Sequence, residues 1–174
     1  MPRIHVKVDG SVHHLEIAAG DSLLDALRKY YYFQVKRGCE TGECGACTVI
    51  MDGYAVLSCL VFAAQADGHE VLTVAGLASG GVLDPVQQAF MSEAGMQCGF
   101  CIPGVILSAR ALLSQCHNPT EEQIRNALAG NLCRCTGYRK IVDTILHIQH
   151  PNDSRANCSG KVRSRLLPQR RKIP

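Results

Sequence analysis

Eight of the ten cysteines in this 174-residue chain fall at spacings suited to metal ligation. Cys39, Cys44 and Cys47 share one short glycine-rich loop, and Cys59 follows after an intervening hairpin. The resulting C-x4-C-x2-C…C pattern is a spacing used for [2Fe-2S] ligation. Further on, Cys98-Gly99-Phe100-Cys101 and Cys133-Arg134-Cys135 supply two more pairs. Four thiolates must converge on two irons, so the first loop has to turn sharply and aim backbone N–H groups at sulfur. Gly38, Gly42 and Gly45 permit this, because glycine accepts positive φ and lets the backbone come close. In an extended stretch, alternate residues project to one side, so Cys133 and Cys135 are expected to present their thiolates together, and Cys98 and Cys101 to do the same by curling. Each pair precedes a predicted helix, whose N-terminus carries roughly half a positive charge and suits a net-negative cluster.

A pair of four-cysteine zinc sites, holding a structural interaction protein together, is the rival chemistry, since zinc also uses C-x2-C pairs. Zinc loops place ligands in pairs, however, rather than three in one glycine loop. Cys116 and Cys158 fit neither set. The first is expected to be a small buried hydrophobe near a helix end, and the second a solvent-facing thiol. No Ser/His/Asp set, carboxylate pair or phosphate loop is present, and the seven histidines lack a ligand-type spacing. The chain itself is therefore expected to hold no substrate site.

The elements that must position these cysteines can be read in outline. Residues 4–8 and 12–17 alternate about the turn pair Asp9-Gly10, which predicts a β-hairpin. Asp21 or Ser22 can cap a helix with Leu23, Leu24, Leu27 and Tyr31 on one face. After the cysteine loop, residues 48–51 and 54–57 flank Asp52-Gly53 as a second hairpin, and residues 71–74 add a strand. Residues 76–84 shift to Gly, Ala and Ser and read as a linker. Beyond them the pattern is helical: helices starting at Pro85 and Pro103, a third capped by the Thr120/Gln123 box and stopped by Gly130, and a fourth over residues 138–148. The expected fold class is α+β. Residues 1–75 form a small mixed sheet with a helix across it, 85–150 a four-helix unit, and 151–174 a basic extended tail.

Composition narrows the class. With 47 % hydrophobic residues the chain can bury a core. The net charge of +3 is uneven: residues 151–174 carry seven Lys or Arg against one Asp, and the first 150 carry eleven against fourteen Asp or Glu. No Lys/Arg stripe interleaved with aromatics marks the body, which argues against nucleic acid. No stretch approaches the ~20 apolar residues of a membrane span. The chain opens on strand-like sequence rather than a secretion signal, so a cytoplasmic, reducing setting is expected, where thiols serve metals rather than disulfides.

The three motifs carry a family signature in order: 38–47 (GCETGECGAC), then Gln97-Cys98-Gly99-Phe100-Cys101, then 130–138 (GNLCRCTGY). They resemble the small iron-sulfur subunit of the molybdenum hydroxylase family, the xanthine dehydrogenase and aldehyde oxidoreductase type, over about residues 3–149. The resemblance implies an N-terminal ferredoxin-like β-grasp domain holding an outer cluster on Cys39, Cys44, Cys47 and Cys59. It implies a four-helix domain holding an inner cluster on Cys98, Cys101, Cys133 and Cys135. Electrons would pass from a molybdenum centre through the inner and then the outer cluster to FAD or another acceptor. Molybdopterin would lie on a large partner subunit and FAD on another, in a hetero-oligomer such as a dimer of heterotrimers. Gln97 matches a residue that hydrogen-bonds the pterin, and Cys135 the ligand nearest to it. From its residues alone, Gln97 reads as a turn cap, and Arg134 as a solvated charge. A free-standing two-cluster shuttle is the remaining alternative, against which two clusters in series and a large helical half both argue. The family ends soon after its last helix, so residues 151–174 are a departure, expected to lie on an acidic partner surface or to be disordered.

Overall fold

The computed structural model describes residues 2–148, so the basic tail lies outside the described residues. Strands β1 (Arg3–Val8) and β2 (Ser11–Glu16) pair antiparallel about Asp9-Gly10, with Ile4 opposite Leu15. The period of two sends Ile4, Val6 and Val8 inward and leaves Arg3 and His5 outside. Helix α1 (Leu23–Lys29) starts where expected: Ser22 is the N-cap, and a capping box joins it to Asp25. Strands β3 (Thr48–Met51) and β4 (Tyr54–Leu57) form the second hairpin, and β5 (Glu70–Leu72) completes a mixed sheet of order β2-β1-β5-β3-β4. Among the described strands only β1 and β5 pair in parallel. Leu23, Leu24 and Leu27 of α1 pack with Val6, Leu15, Val49 and Met51 into one core. Burying each such side chain contributes roughly 1.5–3 kcal/mol.

Strand β5 stops earlier than its sequence suggests. Asp9 accepts a hydrogen bond from the Thr73 N–H at 2.7 Å and another from the Thr73 hydroxyl at 2.7 Å. With that N–H taken, Thr73 leaves the ladder, and Val74 turns into the αR region ahead of a 3-10 turn at Ala75–Leu77. A further 3-10 turn at Ala63–Ala66 has no counterpart in the sequence reading. Its Ala63 and Ala66 are buried, but alanines carry little periodic signal.

Four helices follow: α2 (Pro85–Ser92), α3 (Ile102–Gln115), α4 (Glu121–Leu128) and α5 (Arg139–His147). Asp84 caps α2 and Thr120 caps α4, each with a capping box to a glutamine. Phe90, Val105, Leu112, Ile124, Ile141 and Ile145 meet in a second core. The two cores are joined through β3, which is buried on both faces. Val49 and Met51 point to the α1 side, whereas Ile50 meets Leu107 and Ala111 of α3.

Candidate metal centres

The structure gathers the eight predicted ligands into two sets and orders each set as two thiol pairs. In the outer set, the Cys39 N–H donates to Cys44 Sγ and the Cys44 N–H to Cys39 Sγ, both at 3.4 Å. Thr41 N–H donates to Cys39 Sγ at 3.4 Å. Bonds to Thr41 and then to Cys44 hold the Cys39 thiol down to about 5, so this sulfur is ready to ligate as thiolate. Cys59, brought in by β4, sits against Cys47. Burial first, and Cys47 second, push the Cys59 thiol up to about 12. That is the behaviour of two sulfurs too close to ionise together without a cation between them.

The loop geometry explains the glycines. Gly45 takes φ +69, and a Cβ there would stand 2.2 Å from the Gly130 carbonyl oxygen. Gly38 has no positive φ; its role is close approach, since a Cβ would lie 2.7 Å from Cys44 Sγ.

In the inner set the closest sulfur contacts run between the two motifs. Cys135 Sγ lies 3.5 Å from Cys98 Sγ, and Cys133 meets Cys101. Residues 134–136 bend, and Tyr138 takes the left-handed region at φ 67 ahead of α5. Cys101 is the N-cap residue of α3. Burial and then Cys133 push its thiol up to about 12. Burial also acts to raise Cys133, but bonds with Thr136 outweigh it and hold the thiol low, the Thr136 hydroxyl lying 3.1 Å from its sulfur. The bond to Cys98 raises the Cys135 thiol. Cys98 and Cys135 are exposed, and Cys101 is buried.

Tyr138, which the sequence reading placed only as a helix start, accepts a bond from the Cys133 N–H at 2.8 Å and donates to the Asn131 carbonyl at 3.1 Å. Its place in the cysteine motif was the available signal. Gln97 is exposed beside Cys98, and Arg134 is exposed. Cys116 is buried at the C-cap of α3, apart from both sets. Cys158 lies outside the described residues.

Two thiols for each of two irons is the donor arrangement of a [2Fe-2S] cluster. A zinc site instead draws four ligands around one point. The donors thus fit two-iron clusters, and the fold and sites define a protein with two successive [2Fe-2S]-binding units. Family models agree: residues 6–73 match a 2Fe-2S iron-sulfur cluster binding domain, and residues 73–146 match a [2Fe-2S] binding domain.

The xanthine dehydrogenase iron-sulfur-binding subunit of Escherichia coli O157:H7 is 47 % identical over 145 residues, covering 82 % of this chain and 91 % of the relative. Among solved structures, quinoline 2-oxidoreductase from Pseudomonas putida matches with TM-score 0.81 and 39 % identity, covering 83 % of this chain and 90 % of that one. The aldehyde oxidoreductase of Desulfovibrio desulfuricans also matches with TM-score 0.81, at 38 % identity, over 86 % of this chain but only 17 % of that longer one. The chain belongs to the family of iron-sulfur subunits of the molybdenum hydroxylases. It is an electron-transfer subunit of an oxidoreductase complex, bearing two [2Fe-2S] clusters. The matched cluster domains favour iron over the zinc alternative, and relatives named as iron-sulfur subunits favour a subunit over a free-standing shuttle.

Proposed function

We propose that the chain takes electrons from a molybdenum centre on a large partner subunit and passes them outward, from the Cys98, Cys101, Cys133 and Cys135 set to the Cys39, Cys44, Cys47 and Cys59 set. The acceptor is FAD on a further subunit, or another acceptor in its place. Bound clusters supply one-electron storage at each set. The chain's own residues supply ligation, spacing and two docking faces. In this reading residues 1–75 are a β-grasp domain, 85–150 a four-helix domain with its own cluster, and 76–84 the linker between them.

One observation carries the direction: the exposed sulfurs belong to the inner set, at Cys98 and Cys135, with exposed Gln97 next to them. Phe100, at 50 % exposure, lies two residues after Cys98, and Leu132, at 56 %, three residues before Cys135. Isolated apolar residues on a surface are ordinary, but two beside exposed metal ligands suit an interface core. Gln97 and Cys135 are then the residues that reach the pterin. At the outer set, Leu60 and Phe62, directly after Cys59, are 60 % and 59 % exposed and make the corresponding face for the flavin subunit.

In this reading the complex is a cytoplasmic hetero-oligomer such as a dimer of heterotrimers. Purification of the chain with its partners tests the reading. Iron and acid-labile sulfide at about four each per chain are expected, on two of each per cluster. Copurification with a large molybdopterin-binding protein is expected as well. Emergence of a fully loaded, stable chain that binds neither partner would sink it.

A further inference from the structure

A buried polar contact joins the two ligand loops, and none of the cysteines contributes a side chain to it. Asn131 is 4 % exposed, and its backbone and side-chain polar groups are all engaged. Its Nδ2 donates to the Gly45 carbonyl at 3.1 Å and lies 3.4 Å from Thr48 Oγ1, while its Oδ1 accepts from the Ser108 hydroxyl at 2.7 Å. Its backbone N–H donates to the Leu128 carbonyl at 2.9 Å, and its carbonyl accepts from the Tyr138 hydroxyl at 3.1 Å. The side chain therefore bridges helix α3 to the outer loop at the residue directly after Cys44, from a position two residues before Cys133.

The backbones are packed as closely as glycine allows at this point. Leu132 N–H donates to the Cys44 carbonyl at 2.8 Å. A Cβ on Gly104 of α3 would stand 2.3 Å from the Gly45 carbonyl oxygen. Each ligand set, by contrast, has its own local support: N–H···S bonds between Cys39 and Cys44 in the outer loop, and Thr136 against Cys133 in the inner set.

We propose that Asn131 is a positioning residue that fixes the separation of the outer and inner ligand loops, and with it the coupling between the two centres. The amide is matched to this place, presenting a donor to a carbonyl and an acceptor to a hydroxyl. An aspartate of the same shape would turn an oxygen towards the Gly45 carbonyl and repel it. The inference rests on the two-centre relay proposed above.

The test uses the full-length, cluster-loaded chain and paramagnetic resonance of the fully reduced state. In the wild type, two signals with a mutual magnetic splitting are expected. Asn131→Asp and Asn131→Ala are expected to keep about four irons per chain and both individual signals, and to lose the splitting. Gly104→Ala provides a second route. Alanine favours the helix and keeps Asn131 in the sequence, but its methyl must displace the Gly45 carbonyl and would lie 3.2 Å from Asn131 Nδ2, so the splitting is again expected to diminish. An unchanged splitting in Asn131→Asp and Gly104→Ala overturns the proposal. Loss of either cluster in these variants overturns it too, because Asn131 would then build a cage rather than space two. A wild-type chain without two interacting centres would instead defeat the relay reading itself.

Discussion

The outer and inner cysteine sets reach the same donor arrangement by opposite means. The outer set is mostly local: Cys39, Cys44 and Cys47 lie in one loop whose N–H groups already point at sulfur, and a single hairpin returns Cys59. The inner set joins two distant segments, and each thiol pair takes one cysteine from each. A cage formed by loop conformation depends on backbone dihedrals. A cage formed across helices depends on the packing of α2, α3, α4 and α5 around Phe90 and Ile145. The relay therefore combines a centre that a short stretch of chain can nearly build with one that exists only once a core has formed.

The largest effects should come from ligand loss. Cys101→Ser and Cys44→Ser are each expected to lower iron from about four to about two per chain, measured with acid-labile sulfide. Cys101→Ser should also lower the melting temperature of the helical half, since it unties two segments. Cys44→Ser should leave the sheet folded on its own core. The comparison breaks if the second variant unfolds and the first does not. Next in size are core truncations. Phe90→Ala is expected to cost about 3–5 kcal/mol and Leu27→Ala about 2–5 kcal/mol in denaturant unfolding. Phe90→Ala should release the inner cluster first and Leu27→Ala the outer, as followed by visible absorption; the same order of release in both would erase the distinction.

Smaller changes address the docking faces. Phe100→Asp should weaken binding to the large subunit by roughly 30-fold, the effect of losing a hot-spot contact of about 2 kcal/mol, and Phe62→Asp should do the same for the flavin subunit. Titration calorimetry of each variant against each partner checks the assignment, and swapped effects would reverse the direction of the relay. The smallest effect is expected from deleting residues 151–174, which should leave iron content unchanged. Loss of the inner cluster on that truncation would show the tail to be part of the site.

Much of this molecule is determined by local chemistry and was legible as such. Asp9-Gly10 and Asp52-Gly53 mark both hairpins, Ser22, Pro85 and Thr120 mark three helix starts, and the cysteine spacings mark the two ligand sets. Each of these signals acts over a few residues, so a linear sequence can display it. Tertiary structure alone decided that Asp9 would end β5 at Leu72 by capturing Thr73, and that β3 would be buried on both faces. It also decided that Cys98 would pair with Cys135 and that Asn131 would meet Gly45. Those outcomes depend on the relative placement of distant segments by core packing, and no periodicity or spacing along one segment encodes where another will lie.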